Sequence, residues 1–389
     1  MEDVSGSHVL QGDVLDICSE IEDDYFDAIF TDPPYGLNFM GRKWDHGVPS
    51  AEVWKEIMRT VKPGGHIMAF GGTRTYHRLA VNIEDAGWEI RDCFMWLYGT
   101  GFPKSHNISK ALDKKAGAER EVVGKKRTRD LSRKGGEIKG DMLVGKSEGS
   151  TTIDITAPAT QATKRFEGYG TALTPAYEPI VLAMKPRGKS FADCALEHGV
   201  AGLNIDGGRI EYDGEENPTI ARRKAGYKEN TEKAAVSEQK GRMKDRSDPE
   251  ERAKIKTGDK LGRFPANLIL DEAAGDRLDD QAGDEKSRFF YTAKASKAER
   301  EAGLESDGGR ANTHPTVKPL DLCRYFSTLL LPPEREDNRK IMIPFAGSGS
   351  EMIGARAAGW EFVAGIEKEE EYCEIAEKRL EYWENEEIE

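Results

Sequence analysis

The sequence predicts an α/β fold, a parallel sheet with crossover helices split by long polar insertions, and three observations carry that reading. Short apolar runs alternate with helical stretches over 8–100 and again over 311–389. A glycine-rich turn, Phe345-Ala346-Gly347-Ser348-Gly349, follows one such run and opens a helix, as in a Rossmann-like sheet. Between these zones the texture changes to Lys, Arg, Gly and Glu with little apolar periodicity. The reading therefore divides the chain into 8–100, an insertion at 101–176, a core strand at 177–186, a second polar region at 187–310, and 311–389.

Each element has its own signal. Asp27 to Thr31 reads as a buried strand stopped by Asp32-Pro33-Pro34, because proline does not continue a central strand. Ala51 to Val61 reads as a helix closed by Lys62-Pro63-Gly64-Gly65. His66 to Phe70 is the next strand, Thr75 to Ala86 a helix, and Trp88 to Tyr98 a further strand or strand pair. Glu178 to Met184 is an island of strand. Apolar segments stand at Arg263–Leu270 and Arg288–Tyr291, whereas Lys125 to Lys139 and Arg222 to Lys260 read as loops. Near the end come a helix over Asp321 to Leu331, a strand over Lys340 to Ile343 and a helix over Glu351 to Ala358. A strand over Glu361 to Ile366 and a charged helix over Glu370 to Tyr382 follow.

Composition excludes several classes. With 37% hydrophobic and 33% charged residues, the chain has the balance of a globular protein with polar insertions. No apolar run approaches the roughly 18 residues of a membrane helix, and the acidic start has no apolar stretch behind it, so a cytoplasmic location is expected. Cys18, Cys93, Cys194, Cys323 and Cys373 are scattered without a CxxC pair, so neither a zinc site nor a disulfide framework is expected. The net charge of −13 hides an asymmetry. Residues 101–260 carry 32 Lys and Arg against 25 Asp and Glu, a surplus suited to a polyanion. Residues 361–389 carry 3 against 12.

Two motifs carry chemistry. In the glycine-rich turn the backbone leaves room for a nucleoside cofactor, and Glu367, about 20 positions on at the end of the next strand, suits ribose hydroxyls. The third glycine of a pyrophosphate binder is missing, which disfavours a dinucleotide. Asp32-Pro33-Pro34-Tyr35 is stiffer, since both prolines fix φ and give up their N–H groups. An amine conjugated with an aromatic base is a poor nucleophile because its lone pair is delocalised. A carboxylate (Asp32) and a carbonyl (Pro33) accepting its N–H bonds would favour a tetrahedral nitrogen, and Tyr35 offers a face for an extruded base.

Together these motifs resemble the amino-methylating DNA methyltransferases, which make N6-methyladenine or N4-methylcytosine. Asp32-Pro33-Pro34-Tyr35 precedes the glycine turn by about 310 residues, an order similar to the circularly permuted beta group. Leu10-Gln11-Gly12-Asp13-Val14-Leu15 and His314-Pro315-Thr316-Val317-Lys318-Pro319 add to the likeness. Trp96 to Ser105 and Gly202 to Asp206 look like segments of phage and prophage members. The resemblance implies a Rossmann-like catalytic domain using S-adenosylmethionine, with double-stranded DNA as partner and its target base flipped out. Asp32, Pro33, Pro34 and Tyr35 would form the catalytic turn. Phe345, Gly347, Ser348 and Gly349 would line the cofactor, Glu367 would take its ribose and Asp13 its adenine, with His314, Thr316 and Lys318 near its methionine moiety. The insertions would recognise the target, with phosphate contacts from Lys104, Lys110, Lys114, Lys115, Lys125, Lys126, Arg127 and Arg129. A homodimer and a cognate restriction endonuclease are partners that the family admits.

One departure stands out: the family usually places Asp before the Pro-Phe pair, and this chain has Ile343. Asp at the head of the tetrapeptide leans towards adenine N6, with cytosine N4 the alternative. An RNA amino-methyltransferase and an inactive DNA-binding relic also stay open, the relic favoured by Ile343. A cytosine-C5 enzyme is disfavoured because no Pro-Cys pair occurs. A protein-glutamine methyltransferase is disfavoured by motif order.

Overall fold

The computed structural model describes residues 5–37, 45–99, 101, 105–129, 150–210, 262–282, 286–293, 297–304, 311–314, 316–384 and 386. Its strands are β1 (Gly6–Gln11), β2 (Phe26–Thr31), β3 (Val61–Phe70), β4 (Glu89–Leu97), β5 (Val122–Arg129) and β6 (Ser150–Thr156). They continue with β7 (Tyr177–Met184), β8 (Leu268–Asp271), β9 (Tyr291–Ala293), β10 (Lys340–Pro344) and β11 (Phe362–Glu367). The helices are α1 (Val14–Ser19), α2 (Ala51–Thr60), α3 (Tyr76–Asp85), α4 (Ile108–Ala116), α5 (Gln161–Arg165) and α6 (Phe191–His198). After them come α7 (Glu272–Ala282), α8 (Lys297–Glu301), α9 (Leu320–Leu330), α10 (Ser350–Ala357) and α11 (Glu370–Trp383). The contacts divide the chain into two units, one of 1–99 with 177–389 and one of 100–176.

The larger unit holds a nine-stranded sheet in the order β1-β11-β10-β2-β3-β7-β4-β8-β9. The expected parallel sheet with crossover helices has one exception: β7 runs antiparallel to both β3 and β4. Leu97 pairs with Tyr177, so the chain leaves β4 and re-enters β7 at adjoining positions. An antiparallel return of that kind needs no crossover helix. The pleat sends alternate residues to opposite faces, and both faces are covered. Phe30, Met68 and Phe70 pack with Leu322 and Phe326 of α9 and Met352 of α10 on one side. Ile29, Ile67 and Ala69 pack with Trp54 and Ile57 of α2 and Leu79 and Ile83 of α3 on the other. Burial on both faces explains why the central strands read as continuous apolar runs.

The smaller unit contains α4, α5 and the antiparallel ribbon β5–β6. The loop expected from Lys125 onward is therefore corrected over 125–129, which belong to β5. The ribbon forms because Ser150–Thr156 supplies a β-branched partner strand that local periodicity does not reveal. Inside this unit Arg120 ties α4 to β6, pairing with the buried Asp113 at 2.5 Å and donating to Thr156. The other expected loop, Arg222 to Lys260, lies outside the described residues, as does Lys104. No described helix is long and apolar enough to cross a membrane.

Candidate active site

The carboxyl ends of β1, β11, β10 and β2 meet along one edge of the sheet, where open α/β sheets bind ligands. After β10 the backbone turns sharply. Phe345 has φ +63°, Gly347 +52° and Gly349 +79°, and Gly349 caps the start of α10. A left-handed phenylalanine is strained by about 1–3 kcal/mol, a cost that marks ligand-facing turns. The Gly347 N–H donates to Glu367 Oε2 at 2.8 Å, and the Glu369 N–H donates to Glu367 Oε1 at 2.8 Å. The Glu367 carboxylate is thus held at the end of β11, its pKa raised by burial. Beside it the Gly12 N–H donates to the Glu367 carbonyl at 2.9 Å, which brings Asp13 to the same edge. Asp13 caps α1 through the Leu15 N–H at 3.0 Å and pairs with Lys368 at 3.0 Å. Although partial burial opposes it, these partners hold its carboxyl below the usual range.

The tetrapeptide ends β2, whose neighbour in the sheet is β10, and the Thr31 hydroxyl donates to the Pro344 carbonyl. The Asp32-Pro33-Pro34-Tyr35 turn and the glycine turn are thereby fixed side by side. Both Asp32 oxygens are engaged: Tyr35 donates its hydroxyl to Oδ1 at 2.7 Å, and Lys318 donates to Oδ2 at 2.6 Å. Pro33 is buried. The segment before α9 delivers Lys318, whose ammonium is almost fully buried and lies 4.6 Å from the Phe70 ring centre. Burial works against that charge, yet the carboxylates of Asp32 and Glu178 outweigh it and raise the Lys318 pKa.

The same segment places His314 against the glycine turn rather than against Asp32. Its ring packs edge-on to Tyr372 at 4.6 Å, and its Nδ1 meets the Thr316 carbonyl, while the Thr316 side chain is exposed. Burial pushes the His314 pKa down to about 4, so the ring is neutral at pH 7. The candidate residues thus form two adjoining groups. Asp32, Tyr35 and Lys318 make one, and His314, Phe345, Gly347, Ser348, Gly349, Glu367 and Asp13 the other. Ile343, where a carboxylate was expected, is fully buried in β10.

Three residues enter this site without a motif to announce them. Glu178 Oε2 lies 3.1 Å from the Tyr35 hydroxyl and 3.3 Å from the Lys318 ammonium. It reaches the site because β7 is antiparallel, so its first residues, not its last, come to this edge. Glu351, buried in the first turn of α10, has its pKa pushed up to about 7 by burial and by the charge of Asp32. Arg379, fully buried on α11, donates to the Ser348 carbonyl at 2.5 Å and to the Ser348 and Ser350 hydroxyls at 3.1 Å. It braces the glycine turn from behind. Of the lysines considered for phosphate contact, Lys110, Lys114 and Lys115 on α4 and Lys125 and Lys126 on β5 are exposed.

A family model described as DNA methylase, N6_N4_Mtase, matches residues 26–378, and the chain belongs to that family. It is also similar to the Type II methyltransferase M2.LlaDCHI of Lactococcus lactis subsp. cremoris, with 32% identity over 107 residues, 25% of this chain and 38% of that protein. It is 40% identical over 71 residues to the Type II methyltransferase M2.DpnII of Streptococcus pneumoniae, 18% of this chain and 25% of that one. The chain therefore spans well under half the length of these curated relatives. Among solved structures, the cytosine-N4-specific PvuII DNA methyltransferase aligns over 97% of this chain and 86% of that one, with 11% identity and a TM-score of 0.44. M1.HpyAVI in complex with SAM aligns over 96% of this chain and 100% of that one, with 14% identity and a TM-score of 0.39.

Proposed function

We propose that this protein transfers a methyl group from S-adenosylmethionine to an exocyclic amino group of a base in DNA, with adenine N6 the favoured target. The observation that carries the reading is the juxtaposition, on adjacent parallel strands, of the Asp32-Pro33-Pro34-Tyr35 turn and the glycine turn after β10. The second turn fits the cofactor. Gly347 has no room for a Cβ, which would sit 2.8 Å from His314 Nε2, and its backbone is kept open for a close approach. Glu367 and Asp13 supply carboxylates at the strand ends for ribose hydroxyls and an adenine amine, and the neutral His314 borders the turn.

When bound, the cofactor supplies an electrophilic methyl on a sulfonium sulfur. Asp32 accepts one N–H of the target amine and the Pro33 carbonyl accepts the other, which localises the nitrogen lone pair. Tyr35, its hydroxyl anchored, offers its ring to the flipped base. The nitrogen gains the methyl as the sulfonium S–C bond breaks, and it sheds one proton that the Asp32 carboxylate would accept. Positioning and hydrogen bonding carry the catalysis, with no covalent adduct. The exposed lysines of 100–176 would contact DNA phosphates and 187–310 would recognise the target, with the reaction in the cytoplasm and either a stand-alone or a restriction-modification setting open to it. A homodimer and a partner endonuclease are compatible with this role.

The test is expression in a host lacking DNA methylation, with modified bases mapped by single-molecule sequencing. Wild-type protein is expected to leave N6-methyladenine at a fixed sequence, and Asp32→Ala, still folded, to leave none. N4-methylcytosine in its place would move the target to cytosine. Unmodified DNA, or a fully active Asp32→Ala, would refute the mechanism.

A further inference from the structure

Glu178 belongs to neither motif, and the chemistry above makes no use of it. Yet it completes a partly buried four-membered cluster with Asp32, Tyr35 and Lys318. Its carboxylate lies 3.3 Å from the Lys318 ammonium and 3.1 Å from the Tyr35 hydroxyl, and its side chain is 24% exposed against 7% for Lys318. We propose that Glu178 is a positioning residue that draws Lys318 off Asp32 when the target amine arrives. This rests on the reading of Asp32 as the acceptor of that amine.

The need for such a residue follows from the occupancy of Asp32. Oδ1 takes the Tyr35 hydroxyl at 2.7 Å and Oδ2 takes the Lys318 ammonium at 2.6 Å, so the arrangement holds Asp32 satisfied with no base present. An incoming N–H is neutral and a weaker partner than an ammonium, so it does not displace Lys318 unaided. Water cannot compensate the departing charge, because the ammonium is nearly inaccessible and an unpaired buried charge is costly. Glu178 removes that cost. A displacement of less than about 1 Å exchanges the 2.6 Å and 3.3 Å partners and turns a charge-assisted bond to Asp32 into one to Glu178.

The surroundings suit a small, repeatable shift. The Phe70 ring sits 4.6 Å from the ammonium and offers its face to the cation throughout. The Tyr35 hydroxyl is 3.2 Å from Lys318 in the observed arrangement. Having one proton, Tyr35 keeps donating to Asp32 Oδ1 while Lys318 swings, so only Oδ2 is released, and that oxygen receives the amine. A third carboxylate, Glu351, also bears on Lys318 through its charge, and Arg379 in turn acts on Glu351.

The experiment compares the full chain with Glu178→Gln, Glu178→Asp, Lys318→Gln and the Glu178→Gln/Lys318→Gln pair. Each is followed by transfer of labelled methyl to duplex DNA and by calorimetric titration with S-adenosylmethionine. Glu178→Gln is expected to lower kcat by about 10- to 100-fold, the worth of one hydrogen bond to a charged group. The cofactor Kd and the KM for DNA are expected to hold. Glu178→Asp, which keeps the charge, is expected to retain more of kcat than Glu178→Gln. In the double variant the loss from Glu178→Gln is expected to vanish, since no ammonium is left to move. Wild-type kcat in Glu178→Gln, full multiplication of the two single losses, or Glu178→Asp falling below Glu178→Gln would each overturn the inference. A wild-type chain that methylates no DNA would instead overturn the proposed function, on which this inference depends.

Discussion

Gly347→Ala tests the role proposed for the backbone in cofactor binding. At φ +52° an alanine meets its own carbonyl, which costs about 1–2 kcal/mol. The added Cβ would also lie 2.8 Å from His314 Nε2 and 3.1 Å from His314 Cε1, too close to stand. The His314 ring has little freedom to yield, being packed on Tyr372 and bonded to the Thr316 carbonyl. Gly188 in the same unit is the control: its φ is +69° and a Cβ there meets nothing within 4 Å. Both alanine variants are expected to melt a few degrees lower, at about 2 °C per kcal/mol for a unit of this size. Only Gly347→Ala is expected to lose cofactor affinity, by about tenfold for each 1.4 kcal/mol spent on moving the ring. Differential scanning calorimetry measures the first effect and titration calorimetry with S-adenosylmethionine the second. Equal cofactor affinity in the two variants would refute the claim that this turn cradles the ligand.

Two further outcomes follow from buried charge. Burial in β3 pushes the His66 pKa down to about 4 from 6.5, with Arg91 adding to the shift. The unfolded chain therefore takes up a proton below pH 6.5 that the native chain refuses until about pH 4. Stability is full above 6.5 and falls as pH drops through that window, by about 3 kcal/mol at its low end. Urea midpoints at pH 7 and 4.5 should draw together in His66→Gln, and an unchanged gap would count against this. Arg379→Met strands the Ser348 carbonyl and the hydroxyls of Ser348 and Ser350, at a cost of about 3 kcal/mol. Its melting temperature and cofactor affinity should fall together, and wild-type affinity would show that the brace is not needed.

The central strands were legible because burial on both sheet faces leaves an uninterrupted apolar run, as in Ala28-Ile29-Phe30 and Ile67-Met68-Ala69. The two turns were legible because their geometry is written in proline and glycine. The direction of β7 was not, since an apolar strand reads the same in either sense. With that direction went Glu178, whose place depends on which end of β7 meets the site. The ribbon β5–β6 was hidden for a related reason: Lys125 and Lys126 look like loop until Asp154 and Ile153 are set opposite them. Arg379 was masked by its setting in a charged helix with five glutamates, where an arginine resembles a surface counter-charge.

The bond from the Thr31 hydroxyl to the Pro344 carbonyl joins positions 313 residues apart. Closing so long a loop is slow, and its benefit arrives only when both ends are present. During synthesis the Asp-Pro-Pro-Tyr turn therefore emerges long before the strand beside it, and waits without a neighbour. The basic insertions are made in that interval, before the strand that carries the glycine turn. The two turns become neighbours only late, when β10 takes its place between β2 and β11.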